Sequence, residues 1–193
     1  MIFKKLFLFI FCAMMYNLIY TQATYGSIVR FDKEKSNIIY SLSCLGITIK
    51  KKALPLTGEL NIDKSNSVEA HSNALLLKGL DLNVKFTSHN PIFRKAIDYD
   101  TYPDFKFWTN LETPITLNIN KFIELEGYIS FHGVTKKVKI KLKNNLKDSC
   151  ISLTGFFSIE MTDFGIEPPK ILFVRLDKTI KVKIELYTEN TKI

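Results

Sequence analysis

Residues 122–142 read FIELEGYISFHGVTKKVKIKL, two arms of strict alternation joined by a tight turn. In the first arm Ile123, Leu125, Gly127, Ile129 and Phe131 fall on one face, with Glu124, Glu126, Tyr128 and Ser130 on the other. In the second, Val134, Val138, Ile140 and Leu142 alternate with Lys137, Lys139 and Lys141. A period of two places one set inside and the other in water, which is the mark of a half-buried strand. His132-Gly133 sits between the arms, where glycine supplies the positive φ that a two-residue hairpin needs. Glutamates on one arm can pair with lysines on the other and help to set the register. A long hairpin with one apolar face must close onto something, so this stretch predicts an all-β fold.

The same alternation recurs on both sides of it. Strands are predicted at 28–32, 36–44, 47–49 and 56–62, then at 68–82 after an Asp63-Lys64-Ser65-Asn66 turn. Further strands follow at 104–109, 115–119 (after Thr113-Pro114 as punctuation), 151–161, 174–176 and 179–186. Residues 90–97 (NPIFRKAI) differ: Asn90 suits a helix cap, Pro91 the first turn, and Phe93 and Ile97 share one face. This predicts one short helix covering an end of the sheet. A sheet of this size has to curl, and closing it removes exposed edges. The expected architecture is an antiparallel, lipocalin-like barrel of about eight strands, either filled by side chains or holding one small apolar ligand.

Residues 1–23 read as a signal peptide. Lys4-Lys5 precede an uncharged apolar run, Leu6 to Tyr20, and Thr21-Gln22-Ala23 offers a small-residue cleavage site. The run is shorter than the roughly 20 residues that span a bilayer, so no integral span is expected after cleavage. Residues 24–193 then form a single exported domain, periplasmic or secreted. With hydrophobic residues at 46% and charged ones at 24%, the chain is neither disordered nor a polytopic membrane protein. The net charge of +8 lies mostly on lysines interleaved with apolar strand residues, and only Lys50-Lys51-Lys52 forms a run. No basic helix with base-reading side chains is present, so nucleic acid is not an expected partner.

Catalytic and metal signatures are absent as well. No G-x-S-x-G or other nucleophile–base order stands out, and Asp98 and Asp100 read as loop residues. His71, His89 and His132 have no companions at metal-ligand spacing. The expectation is therefore no enzyme, no metal and no cofactor. In an exported chain Cys44 and Cys150 could bridge; both also suit inward strand positions as buried free thiols, and the sequence leaves both readings open. Asp163-Phe164-Gly165 reads as a turn, with Asp163 bonding local backbone and Gly165 taking an unusual φ.

Three motifs in order then resemble a known family. They are Tyr102-Pro103-Asp104-Phe105-Lys106-Phe107, Leu125-Glu126-Gly127 through His132-Gly133-Val134-Thr135-Lys136, and Thr162-Asp163-Phe164-Gly165-Ile166. With Phe31-Asp32, Ser36, Ile38, Tyr40, Leu45-Gly46 and Phe93-Arg94 they resemble the YceI-like family of exported, lipocalin-like barrels that bind polyisoprenoid lipids. Lys35 and Cys44 stand where that family commonly has histidines, a departure that bears on the ligand more than on the fold. The resemblance implies a polyisoprenoid of prenyl-quinone or polyprenyl-phosphate type as carried or stored partner. Its tail would lie against Tyr40, Leu42, Phe105, Phe107, Ile129, Phe131, Phe157 and Ile184. A homodimer stays open. The alternative is an envelope interaction protein with a side-chain-filled barrel and a basic outer face.

Overall fold

The computed structural model describes residues 26–53, 56–65, 74–85, 91–145, 150–171 and 173–189. The expected signal peptide, His71 and His89 lie outside them. The chain forms β1 (Ser27–Arg30), β2 (Asn37–Cys44), β3 (Ile47–Ala53), β4 (Leu56–Ser65) and β5 (Ala74–Lys85). The short helix α1 (Pro91–Ala96) leads to β6 (Asp104–Thr116), β7 (Phe122–Phe131), β8 (Val134–Asn144) and β9 (Ser152–Glu160). A 3-10 turn (Met161–Phe164), the small hairpin of β10 (Lys170–Ile171) and β11 (Val174–Arg175), and β12 (Thr179–Tyr187) complete it.

Ten strands join in one antiparallel sheet, ordered β1-β4-β5-β6-β7-β8-β9-β12-β2-β3. The sequence predicts about eight, and the difference has a local cause. β1 and β2 are two halves of one run lying along β12: Arg30 O accepts the N–H of Glu189, Phe31 bridges Thr188, and Asp32 N–H donates to Tyr187 O. Between the halves, the Asp32 carboxylate accepts the N–H groups of Glu34 and Lys35 at 3.0 and 3.1 Å. The buried Ser36 hydroxyl accepts Tyr187 N–H at 2.9 Å and donates to Tyr187 O at 3.1 Å. These side chains build a kink at which the run changes neighbour from β4 to β3. β3 and β4 follow one another along the facing side, β3 beside β2 and β4 beside β1, and Phe31 N–H donates to Gly58 O of β4. Eight lengths of chain thus surround the core, and Arg30–Asp32 joins the two ends of the sheet. Among the described residues, β3 is paired on one side only.

The β7–β8 hairpin has the predicted register, with Glu126 opposite Lys139, Glu124 opposite Lys141, and turn residues His132 and Gly133 at φ +51° and +72°. α1 buries Phe93, and Ile97 just beyond it is fully buried, as their shared face implies.

Three strand boundaries differ from expectation. Asp63, Lys64 and Ser65 continue β4 rather than turn; Asp63 is buried and paired with Lys78 Nζ at 2.8 Å, beside a bulge at Asn61/Ile62. β6 runs through Thr113-Pro114, because the pairing with β5 jumps from Gly79–Asn110 to Leu77–Ile115. Proline is tolerated in such a bulge, where no ladder bond is asked of it. β3 extends past Ile49 through all three lysines. No disulfide joins Cys44 and Cys150, and both are half-buried.

Candidate functional site

Cross-strand partners share a face of a sheet, so register decides which side chains look inward. Seven of the eight residues expected to line the interior are buried, and the eighth is partly so. Tyr40, Leu42, Phe105, Phe107, Ile129, Phe131 and Ile184 are buried, while Phe157 is half-buried. Phe157, Phe105, Phe131 and Phe164 form a chain of rings, with centroids 6.5, 5.9 and 5.8 Å apart in turn. Phe107 faces Ile129 across β6 and β7, and Ile184 faces Ile38 and Gly155. Leu42 faces Ile49. These inward side chains pack on one another along the wall.

Tyr40 stands where this packing meets the open edge. Its ring stacks on Phe93 of α1 at 6.0 Å and 14°. Its row runs Phe157–Val182–Tyr40–Lys51, from β9 through β12 and β2 to β3. Lys51 is therefore on the inner face at the open edge, whereas Lys50 and Lys52 pair with Ser41 and Ile39 on the outer face. As sequence, the three look like one solvated run. Counting the register outward from the Leu45-Gly46 turn is the signal that sets Lys51 opposite Tyr40. Phe93, which plugs this edge, and Phe164, which extends the ring chain, are also absent from the residues expected at the site.

The apolar inner wall continues past the core. Beyond buried Leu42, Ile49 is 42% exposed, Ile47 70%, and Leu45 at the hairpin tip 79%. A cavity of about 410 Å³ opens mainly on the outer wall, between Ile39 and Ser41 of β2, Lys50 of β3, Lys181 and Lys183 of β12, and Phe156 and Ser158 of β9, and it also touches Phe157 and Val182 of the inner row.

The three sequence motifs meet at one end of the barrel. His132 Nδ1–H donates to Phe164 O at 2.9 Å, and Tyr102 packs edge-on against the imidazole at 5.1 Å. A Cβ on Gly133 would come within 2.8 Å of the Tyr102 ring. Gly165 has φ +71°, and its N–H closes the 3-10 turn onto Thr162 O. The Asp163 carboxylate faces Lys136 Nζ at 3.9 Å rather than local backbone. This is a clamp over the end of the ring chain. Among the described residues no group of three or more His, Cys, Asp and Glu is placed to hold a metal ion. No described helix is long and apolar enough to cross a membrane.

A model described as the YceI-like domain matches residues 30–188. The chain belongs to the YceI-like family. No curated protein matches it. Solved structures share the fold, and two of them illustrate the likeness. BcnA of Burkholderia cenocepacia superposes with a TM-score of 0.62 at 12% identity, over 82% of this chain and 99% of that one. A polyisoprenoid-binding domain from Saccharophagus degradans, described as implicated in plant cell wall breakdown, gives 0.60 at 12%, over 86% and 100%.

Proposed function

We propose that this YceI-like chain is a binding protein rather than an enzyme, and that it holds an isoprenoid lipid in the barrel interior as an exported carrier or store. The observation that supports it most is the apolar inner wall, which passes from buried Tyr40 and Leu42 to exposed Ile49 and Ile47 at the one-sided strand β3. The tail enters there by displacing Phe93 from Tyr40 and the half-buried Phe157 from Phe105. Burying hydrocarbon contributes about 0.8 kcal/mol per CH₂, so each five-carbon unit supplies roughly 4 kcal/mol against the ring contacts it replaces. Lys51, on the same face as Tyr40, meets a phosphate or quinone head group at the edge. The relative described as polyisoprenoid-binding lends the ligand class.

Native mass spectrometry after incubation with an isoprenoid quinone tests this. One lipid per chain is expected, retained in high salt and lost in Leu42→Trp, which fills the entry. A wild-type chain that takes up neither the quinone nor a polyprenyl phosphate overturns the reading. The outer-wall cavity beside Lys50, Lys181 and Lys183 favours a second reading, an interaction protein with a filled barrel that binds an anionic polymer on its basic face. That reading expects salt-sensitive binding and no retained lipid.

A further inference from the structure

The geometry points to a membrane-docking lip at the tip of the β2–β3 hairpin, which enters the head-group layer of an anionic bilayer; it builds on the lipid-binding reading above. Leu45, Ile47 and Ile49 are 79, 70 and 42% exposed, and Phe173, at the β10–β11 turn, is wholly exposed. Two contacts set the end of β2 beside the chain that leaves the β10–β11 hairpin: Asp177 N–H donates to Ser43 O at 2.8 Å, and the Cys44 thiol lies 4.0 Å from Arg175 O. Single exposed apolar residues are ordinary, whereas three within five residues of one hairpin, with Phe173 exposed on the neighbouring one, mark an interaction site. Leu45 adds an independent observation. It sits at φ +48° in a two-residue turn that favours Asn, Asp or Gly, so a strained backbone holds a bulky apolar side chain out in solvent.

Charge selects the occupant. Lys50 and Lys51 follow the tip on the same strand, and β2 sets Ser41 and Tyr40 opposite them, neither of them an acid. At about 3.3 Å per residue, Lys50 lies roughly 10 Å from Ile47. That is the depth to which interfacial apolar side chains sink, so the lysines reach the lipid phosphates as the tip reaches the acyl boundary. A second copy added along β3 would set two lysine runs side by side, which repels it. Docked this way, the inner wall at Ile47 and Ile49 opens onto acyl chains, and an apolar cargo passes into the barrel without crossing water.

Amide exchange of the full chain with phosphatidylcholine vesicles, with and without phosphatidylglycerol, tests the lip. This readout is local, so binding through the N-terminal segment does not imitate it. Protection is expected at residues 44–52 and 173–175, only on the anionic vesicles. Ile47→Asp combined with Phe173→Ser abolishes it, and Lys50→Glu with Lys51→Glu weakens docking about tenfold or more. These positions are exposed, and an unchanged thermal midpoint verifies that the variants fold. Three results overturn the proposal: no protection at the tip, protection that survives both variants, or tip residues already hidden in a dimer without vesicles. Native mass spectrometry of the same samples separates the two readings. Lipid retained without tip protection sinks the lip alone; tip protection without any lipid sinks the cargo reading alone.

Discussion

The molecule contains two hairpins of the same construction and opposite surroundings. Both turn on two residues with positive φ, His132-Gly133 between β7 and β8 and Leu45-Gly46 between β2 and β3. In the first, Tyr102 covers the turn and His132 bonds to Phe164 O, whereas a Cβ on Gly46 would meet nothing within 4 Å. In the first, Lys139 and Lys141 face glutamates; in the second, Lys50 and Lys51 face Ser41 and Tyr40. Backbone geometry is therefore not what separates them. One hairpin has its charges and its tip matched across the fold, while the other leaves both facing solvent.

The sharpest way to break this comparison is to truncate the wall beneath each tip. Phe131→Ala removes a fully buried ring that touches Phe105 and Phe164, and should cost about 3–5 kcal/mol of stability. Ile47→Ser, on the other inner wall, removes a side chain that is 70% exposed and should change stability by no more than about 0.5 kcal/mol. Urea unfolding of both variants measures the contrast. Comparable losses would mean that Ile47 is packed in solution, and the lip would not exist.

The turns come next. Gly133→Ala forces a methyl into the Tyr102 ring as well as a side chain into the left-handed region, so about 2–3 kcal/mol should be lost. Gly46→Ala meets only the second penalty, about 1 kcal/mol. If the two variants unfold at the same denaturant concentration, the Tyr102 clamp does not support its turn.

Only half of this contrast is legible in the sequence. Alternation and the His132-Gly133 turn are enough to place every partner in β7–β8, because register there is local. The interior residues follow for the same reason, since a strand with one buried face permits a single register. Lys51 escapes such a reading because a run of three like charges looks uniform until pairing with β2 divides it between two faces. Asp63 resembles a turn residue because its neighbours are polar; Lys78, from the next strand, is what lets it lie buried in β4. The motifs at Tyr102, His132 and Phe164 are legible as family marks and opaque as a clamp, since only tertiary contact brings them together. Phe173 gives no signal, as exposure at a loop tip depends on what the fold leaves uncovered.

The smallest expected effect tests the charges. Lys137 and Lys139 each approach Glu126 at 2.7 Å, and their hydrogen bonds, Lys137's first, hold its carboxyl down to about 2 from an ordinary 4.5. A carboxyl with a depressed folded value binds its proton more readily when unfolded. Its contribution is therefore whole above about pH 4.5 and fades as pH falls toward 2. The pair is exposed to solvent, so the effect is modest and salt weakens it further. Urea midpoints should fall between pH 5 and pH 2.5, and Glu126→Gln should flatten part of that slope while leaving the rest to Asp32 and Glu160, whose carboxyls are also held low. Lys50→Glu with Lys51→Glu should leave the neutral-pH midpoint unchanged or slightly raised, because neither lysine stands opposite an acid and like charges are separated. A marked loss of stability in that variant would show that these β3 lysines are already neutralised within the fold, and the two hairpins would then differ in shape alone.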